Sequence, residues 1–215
     1  MIHVEAAPEP SEFDSRVRQP GLRAVAELAG ELPNPPRTAG RPFTAVATRR
    51  DDIPAKHFPA YWTEALPAMM LAYGCMCAYS CFRIHAITGS GSVDHVAPKS
   101  RGWNLVYEWS NYRLASSRLN SRKNHFEDVL DPFDMIDGWF ELDLTDYSLK
   151  PSSNLTPQQR QQVLDTIERL DLNEESMARA REETAGYFLS GEISFQHLSR
   201  EAPFIARELR RLGEV

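Results

Sequence analysis

Asp94 and His95 sit side by side, and Asn111 and Asn120 follow within the stretch VDHVAPKSRGWNLVYEWSNYRLASSRLNSRKN. These residue types suit metal-assisted hydrolysis of a phosphodiester. That reaction needs an activated water, a cation that absorbs charge developing on the leaving oxygen, and a frame that holds both in line. His95 has the chemistry of the general base. Successive strand residues point to opposite faces, so a His95 turned into a cleft sends Asp94 elsewhere, where the turn can aim it at a metal. Asp94 and Asn120 then offer one carboxylate and one amide oxygen, a sparse hard-oxygen set that leaves positions for water and phosphate oxygens and suits Mg²⁺ (or Mn²⁺). Asn111 is short and neutral, so its expected task is to hydrogen-bond loop backbone and fix the orientation of His95. Taken singly, each of these residues is also an ordinary turn or cap residue, with Asn120 a candidate helix cap. Asn124 and His125 compete with Asn120 for the last ligand position.

The surrounding pattern supplies elements to carry them. VDHVAP and NYRLAS read as short strands flanking a loop rich in Lys, Arg, Gly and Trp, and LNSRKNHFEDVL is compatible with a helix. On these residues the chain resembles the HNH endonucleases. DHVAPKS is similar to the family's first element, WSNYRLAS to its central asparagine strand, and RLNSRKN to the helix that supplies the last metal ligand. The resemblance implies His95 as general base, Asp94 and Asn120 as metal ligands and Asn111 as the orienting residue, in an arrangement similar to the HNH domain of RNA-guided CRISPR nucleases. More widely, from YGCMCAYSCFRI through FEDVLDPF to TIERLDLN, the chain resembles the HNH subunits of Septu-type and retron-associated anti-phage defence systems. The expected fold is therefore α+β, a small ββα-metal core wrapped by N- and C-terminal α-helices. The expected activity is metal-dependent cleavage of DNA. A catalytically silent HNH-like scaffold that binds nucleic acid or a partner protein, and an RNA-cutting toxin, are the alternatives.

The chain departs from that family at the cysteines. Many relatives carry two Cys-x-x-Cys pairs around a structural zinc, whereas here Ser80, Ser116 and Leu119 fall where thiolates would stand. A closed zinc site needs four N or S ligands. Cys75, Cys77, Cys81 and His85 are irregularly spaced for that task and sit in an apolar run, so the expectation is packing without structural zinc.

Composition bounds the rest. A chain of 215 residues that is 42% hydrophobic and 25% charged can bury a core. It has no apolar run of about 18 residues and no apolar leader segment, so neither a membrane span nor a secretory signal is expected, and a cytoplasmic location follows. Three cysteines make no disulfide framework. The net charge of −6 is unusual for a nucleic-acid enzyme, yet Lys99, Arg101, Arg113, Arg118, Arg122 and Lys123 outnumber Asp94 and Glu108 between Val93 and His125. Trp103, Tyr107, Trp109 and Tyr112 interleave with those bases and suit either a sugar-phosphate track or a core.

Three regions are expected: an N-terminal helix and connecting arm (1–58), the nuclease core (59–150) and a C-terminal helical region (151–215). The first helix is signalled after Pro20 by Leu22, Val25, Ala26, Leu28 and Ala29. A second covers Ala65 to Tyr73, with Pro67 in its first turn and Gly74 past its end. WFELDL reads as a strand and Lys150 to Leu155 as a linker. Thr156, Pro157 and Gln159 then form a helix start with a capping box, followed by an apolar face of Val163, Leu164, Ile167 and Leu170. Helices near 174–189 and 194–212 complete the chain. They either cover the small core or, if the resemblance holds, present the Ala185 to Leu212 surface to an ATPase or other sensor subunit, since the chain has no Gly-rich phosphate loop of its own.

Overall fold

The computed structural model describes residues 1–85 and 87–215. The elements run α1 (Gln19–Leu28), α2 (Leu66–Ala72), β1 (Gly91–His95), β2 (Tyr112–Ser116), α3 (Ser117–Lys123), β3 (Phe140–Leu142), β4 (Leu149–Pro151), α4 (Pro157–Leu170), α5 (Glu175–Leu189), α6 (Phe195–Glu201) and α7 (Pro203–Leu212). The fold is mixed α and β, with strands β1–β2 and β3–β4 forming separate two-stranded antiparallel sheets. One apolar core runs through N-terminal, central and C-terminal residues, including Val25, Tyr112, Leu114, Val163 and Leu209.

Local chemistry explains most boundaries. Helical backbone begins before Pro20, with a π-helical segment Asp14–Arg18 leading into α1, and Pro20, which has no N–H to donate to the preceding turn, lies just after the point where the π turn gives way to α. Gly21 permits close packing: a Cβ there would come within 2.3 Å of the Tyr107 ring. Past α1 the arm is extended, but it is anchored, since Ile53 and Phe58 are buried and Val46 N–H donates to the Leu28 carbonyl at 2.8 Å. Helix α2 ends at Ala72, and Gly74, two residues on, reverses the chain with a φ of +56°.

The second half corrects several sequence expectations. Lys150 to Leu155 is not simply a linker, because Leu149–Pro151 pairs with Phe140–Leu142 in register Glu141↔Lys150. The capping box forms as read, with the Thr156 and Gln159 N–H groups each accepted by the other's side chain. Leu164, however, faces outward at 41% exposure, and Thr166 takes a buried place beside Val163 and Leu170. The last helix is broken at Ala202, where Pro203 denies helical backbone to the residue before it. No helix among the described residues is long and apolar enough to cross a membrane.

Candidate functional site

Strand β1 pairs with β2 from Gly91↔Ser116 to His95↔Tyr112, and α3 follows β2 without a linker. Ser116 makes that junction by accepting the Leu119 N–H as N-cap. Asn120 is therefore in mid-helix and does not cap it. The helix also stops at Asn124, whose φ of +46° ends it well short of the expected run through Leu130. From α3, Asn120 and Lys123 reach back to β1. Asn120 Nδ2 donates to Ser92 Oγ at 2.5 Å and to the Val93 carbonyl at 3.2 Å. Lys123 Nζ donates to the His95 carbonyl at 2.7 Å.

Asn111 lies in a 3₁₀ turn, Trp109–Asn111, immediately before β2 and not within the strand. Its buried carboxamide closes the loop between the strands: Oδ1 accepts Ala97 N–H at 2.8 Å, and Nδ2 donates to the carbonyls of Ala97 and Leu105, each at 3.0 Å. Both sides of the loop are thus tied at one point, next to Val106.

That tie reaches His95. His95 Nε2 lies 2.9 Å from the Val106 carbonyl, which also accepts the Tyr112 hydroxyl at 2.8 Å. A carbonyl can only accept, so Nε2 carries the hydrogen and Nδ1 keeps the lone pair. The ring stands edge-on to Trp62 and Tyr112, with centroids 5.0 and 5.1 Å apart. Burial lowers its pKa to about 4, with Lys99 and Lys123 adding to the shift against the Val106 hydrogen bond, so the imidazole is neutral at ordinary pH.

Asp94 turns the other way, as strand alternation requires, and meets a different set of groups. Tyr79 OH donates to Oδ2 at 2.5 Å, and Lys123 Nζ stands 3.3 Å from Oδ1. Burial pushes the Asp94 carboxyl upward while Lys123 and Tyr79 oppose that shift. Tyr79 reaches it from the tight loop after α2, which is pinned to the ribbon by Ala78 N–H on the Leu114 carbonyl and Ser116 N–H on Cys77 Sγ. Cys77 and Cys81 are buried in the core, Cys75 is half-buried, and His85 is exposed with Nε2 3.8 Å from Glu201.

Asp94, His95 and Asn120 border one cavity of about 370 Å³, together with Trp62, Lys99 and the exposed His125 and Asn124. Asn111 stays behind it, in the loop. Asp94 keeps lone pairs beyond those given to Tyr79 and Lys123, and Asn120 spends only its nitrogen on β1, so these two are the oxygens that could serve a hard, mostly hydrated divalent cation; no cluster of three or more His, Cys, Asp or Glu side chains suited to a metal occurs among the described residues. Sequence reasoning missed Tyr79, Trp62 and the inward turn of Lys123. The signal for Lys123 was its place three residues after Asn120, which puts both on one helix face.

The basic stretch is less free than its composition suggests. Arg101 pairs with Glu127, Arg113 with Asp131, Arg118 with Glu174, Arg122 with Asp171 and Glu174, and Lys123 with Asp94. Lys99 has no carboxylate partner among the described residues and rests over the Trp62 ring at 4.3 Å, beside the cavity. Tyr107, Trp109 and Tyr112 are core residues, and Trp103 is half-buried with Nε1 3.1 Å from Asp51. Comparison with protein-family models and with curated proteins finds no match to this chain.

Proposed function

We propose that this cleft hydrolyses phosphodiester bonds in DNA as an HNH-type endonuclease, and that His95 is its general base. The observation that carries the reading is a neutral imidazole with a free Nδ1 lone pair, on a residue that borders one cavity together with Asp94 and Asn120 and is oriented through the loop that Asn111 ties. In the proposed step Nδ1 takes a proton from water, the water oxygen bonds to phosphorus, and one P–O ester bond breaks, its oxygen leaving as a hydroxyl after taking a proton from solvent. The Val106 carbonyl holds the ring through Nε2–H and favours the imidazolium that forms. Lys99 supplies positive charge to the phosphate at the cavity wall. A divalent ion on Asp94 and Asn120, when bound, would offset charge on the phosphate and leaving oxygens. We infer further that such a nuclease is a cytoplasmic effector of an anti-phage system, directed by an ATPase or other sensor subunit; the resemblance of the wider stretch, from YGCMCAYSCFRI to TIERLDLN, to HNH subunits of such systems supports this reading.

A silent nucleic-acid or partner-binding scaffold is the second reading, favoured by the engagement of both Asp94 oxygens within the protein. Incubation of purified protein with plasmid, linear DNA and RNA, in Mg²⁺, Mn²⁺ or chelator, separates the two. The nuclease reading expects divalent-dependent cleavage and its loss by about 10²- to 10⁴-fold in His95→Ala, with DNA affinity retained. No cleavage under any of these conditions, or unchanged cleavage by His95→Ala, would count against it.

A further inference from the structure

We infer that Lys123 is a resident cation of the cleft, holding at Asp94 part of the positive charge a divalent ion would bring and so weakening the hold of Asp94 on such an ion. The Lys123 side chain is only 2% exposed, as is that of Asp94. Its ammonium has three donors and meets three oxygens: the His95 carbonyl at 2.7 Å, the Val96 carbonyl at 3.3 Å and Asp94 Oδ1 at 3.3 Å. Those oxygens belong to consecutive residues where β1 runs into the loop. The ammonium therefore sits against Asp94, at the strand end whose residues Asp94 and His95 border the cavity.

Helix geometry couples this cation to the proposed ligand pair. Asn120 and Lys123 share a face of α3, so the turn that brings Asn120 to the cavity wall also fixes a positive charge against β1. A divalent ion on Asp94 has to share the carboxylate with the ammonium, and at this burial the like charges repel with little screening. Removing the ammonium removes that repulsion, and the affinity for the ion is expected to rise.

The inference rests on the reading that Asp94 faces a bound cation, and its test leaves cleavage out. Mn²⁺ binding is measured by calorimetry and electron paramagnetic resonance, and thermal unfolding with and without Mn²⁺. The full chain is compared with Lys123→Met, Lys123→Gln and the double variant Lys123→Met/Asp94→Asn. Both single variants are expected to bind Mn²⁺ about tenfold tighter or more than the unmodified chain. They should also melt lower in chelator, because a buried carboxylate has lost its partner, and recover when Mn²⁺ is added. The double variant is expected to show neither tighter binding nor recovery. If the single variants do not fold in chelator, the expected result is Mn²⁺-dependent refolding, and its failure overturns the inference. Equal or weaker Mn²⁺ affinity in both single variants also overturns it, as does tightening that persists in the double variant. A chain that cuts no nucleic acid yet shows the expected pattern loses the nuclease reading alone.

Discussion

At the scale of single residues, the site is defined by two neighbours whose environments differ. Asp94 is held by a phenol and an ammonium, whereas His95 is held by one carbonyl and two aromatic edges. Burial is the leading cause of both pKa shifts, and it acts in opposite directions because it penalises the charged form of each. For His95 the consequence is a base that stays neutral well below pH 7. Cleavage is expected to be constant from about pH 8 down to about 5 and to fall as pH approaches about 4, where Nδ1 is already protonated. Stability follows with the sign of a depressed histidine. It is fully present above the unfolded value of 6.5 and declines as pH falls toward about 4, since only the unfolded chain takes up the proton in that window. A pH–rate profile of the proposed cleavage with a midpoint near 6.5 would show that His95 is solvated during turnover and would remove the basis for a dry base.

At the scale of elements, the loop between β1 and β2 is the part that requires explanation. It is long for a connection between antiparallel neighbours, and it keeps its shape through Asn111, which satisfies one N–H and two carbonyls that no strand or helix takes. Asn111→Ala is expected to cost roughly 2–4 kcal/mol, because it strands buried backbone groups and leaves a cavity. Cleavage should fall even at temperatures where the variant is folded, since the Val106 carbonyl loses its fixed position against Nε2. Denaturant unfolding and single-turnover cleavage check the two effects. A variant that is less stable but cuts normally would reduce Asn111 to a structural role. The capping box of α4 is a useful control: Thr156→Ala should cost about 1 kcal/mol in the same unfolding assay and leave cleavage unchanged, because α4 contributes no side chain to the cavity.

At the scale of the whole molecule, the charge pattern sets an expectation for how the proposed nuclease would hold DNA. The bases around the site are drawn into ion pairs by Glu127, Asp131, Asp171 and Glu174, acids that lie outside the Val93 to His125 stretch. A surface of that kind releases few counterions on binding. The logarithm of DNA affinity is therefore expected to fall with the logarithm of salt concentration with a slope of about −1 to −3, against about −5 if every base of the stretch reached a phosphate. Fluorescence anisotropy across a salt series measures it. A slope near −5 would mean that the ion pairs open onto DNA and that the resting charge pattern is not the bound one.

Part of this was legible in the residues alone. Alternation within VDHVAP placed Asp94 and His95 on opposite faces, Thr156, Pro157 and Gln159 marked the start of α4, and Gly74 marked the end of α2, because each rests on backbone chemistry local to a few residues. The strand β4 was missed because Leu149–Pro151 becomes a strand only when Phe140–Leu142 is there to pair with it. The site divides in the same way. Residue types and spacing singled out Asp94, His95, Asn111 and Asn120, and the fold brings Asp94, His95 and Asn120 to one cavity with Asn111 behind the loop. Spacing is silent on which charges meet across elements, so only the tertiary structure could pair Arg118 and Arg122 with Glu174, bring Tyr79 to Asp94 and turn Lys123 inward onto the end of β1.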